Sequence, residues 1–119
     1  MIKSTVCYLV HDEKWLMLLR NKKQNDLNHG KWIGVGGKLK INETPYECMV
    51  REVIEETGYQ VQSALYCGII HFHYEHHEDE EIYVYQTSDY VGTLHECSEG
   101  TLAYIPKKDI LDLELWEGD

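Results

Sequence analysis

Positive charge is what this chain has least of. Its 119 residues hold 11 Lys and Arg against 21 Asp and Glu, a formal net charge of −10. That deficit argues against a nucleic-acid backbone or an anionic membrane surface as the main partner. A phosphorylated partner is compatible with it only if a divalent cation mediates the meeting. No apolar run approaches the roughly 18 residues of a membrane span, and no signal peptide is recognisable. The four cysteines, Cys7, Cys48, Cys67 and Cys97, form no CxxC pair. They read as reduced cytosolic thiols, each a small buried or half-buried side chain. Repeats, linkers and low-complexity tracts are absent as well, which leaves one domain over residues 1–119. That length buries a core without disulfides or a structural metal. The expectation is a cytoplasmic protein.

What is present concentrates between residues 37 and 59. Gly37 is followed by Glu43, then by Arg51-Glu52-Val53-Ile54-Glu55-Glu56-Thr57-Gly58-Tyr59. Thr44 as N-cap, Pro45 in the first turn and Glu47 three residues after the cap predict a helix from 45 to 57, stopped by Gly58. At about 100° per residue, Glu52, Glu55 and Glu56 fall on one face. Tyr46, Met49, Val50, Val53 and Ile54 form an opposing apolar arc. Like charges at these spacings cost about a few tenths of a kcal/mol per pair. Three carboxylates converging on one face therefore point to something positive between them, and oxygen donors suit Mg²⁺ or Mn²⁺.

Around the helix the chain reads as β-structure. Residues 4 to 10 and 15 to 20 predict two strands joined by a turn, and residues 21 to 31 a polar loop. Gly34, Gly36 and Gly37 are spaced for close backbone approach. Residues 60 to 74 and 81 to 87 predict a hairpin over a charged turn. Residues 101 to 105 predict a last strand, with Pro106 opening a short helix to about Leu113. The fold class is α+β, a mixed sheet with helices packed on it. His71, His73, His76 and His77 match no closed zinc site and read as strand and hairpin surface. Glu78-Asp79-Glu80-Glu81 reads as a solvated turn.

Residues 37 to 59 resemble the Nudix box at every fixed position, with Tyr59 where an aliphatic residue is more usual. Gly30-Lys31-Trp32, the Gly34 to Lys38 run, Tyr104-Ile105-Pro106 and residues 115 to 119 resemble MutT-type nucleoside triphosphate diphosphatases. The resemblance implies the Nudix α/β/α sandwich and cleavage of a nucleoside diphosphate linked to another group, by water and divalent metal. It implies metal ligands at Glu52, Glu55 and Glu56, at the Gly36 carbonyl, and at Glu99 or, failing that, Glu96. Glu52 is also the implied general base. Arg51 resembles the arginine that holds a box glutamate, with Glu43 as its structural partner. Lys38 and Arg20 are candidate phosphate contacts.

The substrate implied is 8-oxo-dGTP or a related purine nucleoside triphosphate, hydrolysed to the monophosphate and pyrophosphate in nucleotide-pool sanitation. By resemblance to mammalian-type members, Trp116 would stack on the base and Asp119 would read its edge. Ile33 departs from the asparagine those members carry and cannot hydrogen-bond a purine. Tyr74 keeps dinucleoside polyphosphate hydrolysis as an alternative, and a non-catalytic nucleotide-binding module is the alternative of another class. Many members continue into a terminal helix over one sheet face, whereas this sequence stops at Asp119. A naturally short chain or a fragment would both leave an apolar face, so monomer and homodimer are both open.

Overall fold

The computed structural model describes residues 1–20, 31–73, 75–76, 78–98 and 100–112. A mixed sheet is built from β1 (Ile2–His11), β2 (Lys14–Leu19), β3 (Trp32–Ile33), β4 (Val35–Lys38), β5 (Tyr59–Phe72), β6 (Glu80–Gly92) and β7 (Thr101–Pro106). Among the described residues one α-helix, α1 (Pro45–Thr57), packs on it, and a 3₁₀ helix, Lys107–Asp112, follows β7. The strands run in the order β3-β2-β1-β6-β5, with β4 also paired to β1 and β7 to β2. Among the described residues only β1 and β6 are parallel, with Val6 opposite Val84; the other pairings are antiparallel.

The helix forms where its caps dictate. The Thr44 side chain accepts from the Glu47 amide at 3.1 Å, and Glu47 returns a bond to the Thr44 amide at 2.9 Å. Gly58 ends it at φ 88°, where a Cβ would crowd the Thr93 carbonyl. The buried stripe differs from the predicted arc. Met49, Val53 and Thr57 are fully buried together with Cys48, while Tyr46 and Ile54 are exposed. Spacing of four residues defines the stripe that meets β1, and Tyr46 and Ile54 lie on its flanks. Met49 and Val53 close a core with Cys7, Leu9, Leu16, Val35, Val61 and Tyr85.

Other boundaries shift for identifiable reasons. β6 continues to Gly92 instead of stopping at Thr87, because an irregularity in register is repaired by Thr87. Its hydroxyl donates to the Ser63 carbonyl at 2.5 Å and accepts the Asp89 amide at 2.9 Å. The acidic run is not one solvated turn: Glu78 and Asp79 are exposed, but Glu80 and Glu81 lie half-buried in β6. Cys7, Cys48 and Cys97 are buried as expected, and Cys67 is exposed on β5. His71, His73 and His76 are exposed, each with a carboxylate partner in Glu81, Asp79 and Glu75 respectively.

Tyr59, the unusual residue of the box, joins two distant strands. Its ring lies 4.8 Å from that of Tyr90, and the Tyr104 hydroxyl bonds Tyr90 at 2.8 Å and Tyr59 at 3.3 Å. Burial pushes the Tyr59 and Tyr104 phenols up to about 12. An aliphatic residue would fill the space but leave the Tyr104 hydroxyl with one partner fewer.

Candidate active site

The carboxylates of α1 are organised by Arg51. Its Nε and Nη2 fork onto Glu43, at 2.7 and 2.9 Å. Its Nη1 reaches along the helix to Glu52 at 2.7 Å and to Glu55 at 3.3 Å. Nη2 also donates to the Lys38 carbonyl at 3.2 Å, tying the helix to the end of β4. Glu43 is prepared for this role by the turn before the helix, where the Lys40 amide donates to its Oε1 at 2.9 Å. Arg51 and the Lys40 amide together hold the Glu43 carboxyl down at about 2, and Glu43 and Glu52 push the Arg51 pKa above its ordinary value.

The strand beneath is shaped for close approach. A Cβ at Gly36 would overlap the Thr5 carbonyl on β1. At Gly37 it would meet the Glu52 carboxylate, 2.5 Å from Cδ and 2.7 Å from both oxygens. The Cys48 thiol donates to the Gly37 carbonyl at 3.5 Å and lies 3.4 Å from the Thr5 hydroxyl. Thus β1, β4 and α1 meet at one point, and Glu52 lies against the glycine backbone. Replacing Gly37 with alanine is expected to leave the melting temperature within a few degrees, because only the end of a flexible side chain must move. Displacing Glu52 should lower hydrolysis at least tenfold, about the effect of a misplaced reacting group. Paired thermal melts and rate measurements check this.

The three helix carboxylates occupy different environments. Glu52 is mostly buried, Glu55 is half-exposed and Glu56 is only 7% exposed. The sequence places them on one face of the helix, opposite the apolar arc; the structure sinks Glu56 beside Val53 and Thr57. Among the described residues no three His, Cys, Asp or Glu side chains already converge as a metal-binding cluster. Glu52 and Glu55 instead share the Arg51 guanidinium, and the longer bond to Glu55 is the weaker tie. The donor set is nonetheless oxygen only: three carboxylates on one helix and the glycine backbone beside Glu52. That chemistry fits a hard divalent cation.

The other anticipated residues are more scattered. Lys38 ends β4 opposite Ser4, exposed, and Arg20 follows β2 with its amide on the Lys31 carbonyl. Ile33 lies half-buried on β3 opposite Leu18. Glu96 is exposed in the segment before β7. Glu99, Trp116, Asp119 and Tyr74 lie outside the described residues. The Lys38 carbonyl and the Cys48 thiol were not legible as parts of the site. A backbone acceptor leaves no mark in a sequence, and Cys48 resembles any small core residue.

Known proteins share the fold that carries these residues. The NUDIX domain family model matches residues 1–119. An uncharacterized Nudix hydrolase of Bacillus subtilis is 28% identical over 98% of this chain and 73% of its own length. The oxidized purine nucleoside triphosphate hydrolase of Danio rerio is 27% identical over 86% of this chain. The match spans 66% of that relative's length. The crystal structure of the MutT mutator protein from Bacillus halodurans superimposes with a TM-score of 0.87 at 25% identity, covering 100% of this chain and 77% of that one. Among the described residues no helix is long and apolar enough to cross a membrane. The chain belongs to the Nudix family, with the fold of its MutT-type members.

Proposed function

We propose that this protein is a divalent-metal-dependent nucleoside triphosphate diphosphatase. It would hydrolyse a purine nucleoside triphosphate, with 8-oxo-dGTP and related nucleotides as the expected class, to the monophosphate and pyrophosphate. The observation that carries this reading is the carboxylate face of α1, which bears Glu52, Glu55 and Glu56, with Glu52 lying against Gly37 and Arg51 fixed by Glu43. Likeness to the oxidized purine nucleoside triphosphate hydrolase supports the substrate class.

Glu52, Glu55, Glu56 and the Gly36 carbonyl would hold Mg²⁺, or Mn²⁺ in its place, with Glu99 as a further ligand. When bound, the cation supplies neutralisation of the polyphosphate charge and a more acidic water. Glu52 accepts the proton from the attacking water as its oxygen bonds to phosphorus and the phosphoanhydride P–O bond breaks. Arg51 keeps Glu52 oriented for that transfer. Lys38 and Arg20 stabilise charge on the phosphate oxygens, pyrophosphate leaving as the anion. Trp116 and Asp119 would hold the base.

The test is a competition of dGTP, 8-oxo-dGTP, other nucleoside triphosphates, ADP-ribose and diadenosine polyphosphates at equal concentration with Mg²⁺. The expected outcome is pyrophosphate release, fastest from a purine nucleoside triphosphate. Preferential cleavage of the dinucleoside polyphosphates would overturn the substrate class, and no turnover of any compound would overturn the catalytic reading.

A further inference from the structure

Alternation along β1 gives the sheet two different faces. Thr5, Cys7 and Leu9 are buried on the side of α1, where Cys48 meets Thr5 and Met49 and Val53 pack beside Cys7. Ser4, Val6 and Tyr8 therefore point the other way. The register extends that second face across the sheet. Ser4 lies opposite Ile82, Val6 opposite Val84 and Ile2 opposite Glu80; on β5, Ile70 lies opposite Ile82 and Phe72 opposite Glu80. Val6, Ile70, Phe72, Ile82 and Val84 are all half-buried, and no described helix packs on them.

This apolar row begins at the catalytic edge, since Gly36 and Lys38 of β4 pair with Val6 and Ser4. Two strand spacings, about 10 Å, then separate β4 from β6, a distance matching the span from a nucleotide's phosphates to its base. The row ends in a polar pair: the buried Ser4 hydroxyl donates to Oε2 of half-buried Glu80 at 2.6 Å. An ionised carboxylate is an acceptor-only group, and the Ser4 hydroxyl helps hold this one at the end of the apolar row. Guanine offers it two adjacent donors, N1–H and the exocyclic amine. Adenine turns the lone pair of N1 toward it, and thymine offers a single N–H between two carbonyls.

We propose that Glu80, positioned by Ser4, is a specificity-determining residue that selects guanine-type bases. This rests on the nucleoside triphosphate reading above. It also supplies the polar recognition that Ile33 cannot.

The test compares kcat and KM for dGTP, dATP, dCTP and dTTP in the full chain, Glu80→Gln and Ser4→Ala. Glutamine keeps the shape but presents an amide donor against the guanine amine. The dGTP to dATP ratio of kcat/KM should fall about tenfold or more in Glu80→Gln, chiefly through KM for dGTP. The kcat for dCTP should be unchanged, and Ser4→Ala should lower the same ratio severalfold. An unaltered ratio in Glu80→Gln, or an equal fall on all four nucleotides, would overturn the role of Glu80. Absence of turnover on all four by the unmodified chain would overturn the nucleotide reading itself.

Discussion

Glutamine in place of Glu56 is expected to cut nucleotide hydrolysis by about a hundredfold or more while leaving the fold about as stable as before. The loss follows if Glu56 is an anionic ligand, because stabilisation of charge in the transition state is worth about a hundredfold to a thousandfold per group. The stability follows from burial. Glu56 is 7% exposed, between Val53 and Thr57 on a helix packed against the sheet. An amide of the same shape keeps the packing of that position. Glu55→Gln separates the two effects. Its carboxylate is half-exposed and, among the described residues, held by the 3.3 Å bond to Arg51, so its melting temperature should barely move while its turnover falls. Pyrophosphate release with Mg²⁺ and thermal melts of both variants measure this. Unchanged turnover in both would remove the metal assignment. A fall in activity with stability retained would mark Glu56 as a residue kept for chemistry.

How much of this could be read beforehand depends on how local each cause is. The helix was legible to its ends because Thr44, Pro45, Glu47 and Gly58 act within one turn of the positions they set. The pairing of Glu43 with Arg51 was also legible, at eight residues' separation within one motif. The burial of Glu56 was not, since periodicity places charges around a helix but cannot show how deeply the sheet wraps it. The same holds for Glu80. In sequence it sits within a run of four acidic residues, and only parallel pairing of β6 with β1 brings it to Ser4, 76 positions away. Lengthening of β6 past Thr87 depended likewise on a hydroxyl meeting a carbonyl on β5. The fold was written in local chemistry and alternation. The depth of the site was written in strand pairings that a single sequence does not display.

Arg51→Lys is expected to be nearly as damaging as loss of a ligand, although it preserves the charge. A guanidinium serves Glu43 with two nitrogens and extends the remaining donors to Glu52, Glu55 and the Lys38 carbonyl. An ammonium is a point charge on a flexible stem and cannot span these acceptors at once. Glu52 then loses the partner that orients it against Gly37, and turnover should fall about a hundredfold. Stability should fall by about 2 kcal/mol, the value of losing charge-assisted hydrogen bonds in a partly buried site. The pH dependence supplies a second readout. Arg51 and the Lys40 amide lower the Glu43 pKa from 4.5 to about 2 in the folded chain. A folded pKa below the unfolded one means stability that is complete above 4.5 and lost as pH falls toward 2. In Arg51→Lys the Glu43 value should move back toward 4.5, so the acid limb contributed by this group should flatten between those limits. Melting temperatures of the unmodified chain and Arg51→Lys across that pH range measure the slope directly. Equal slopes in the two proteins would show that the Arg51 fork does not hold the Glu43 carboxylate, and equal turnover would show that the charge alone suffices.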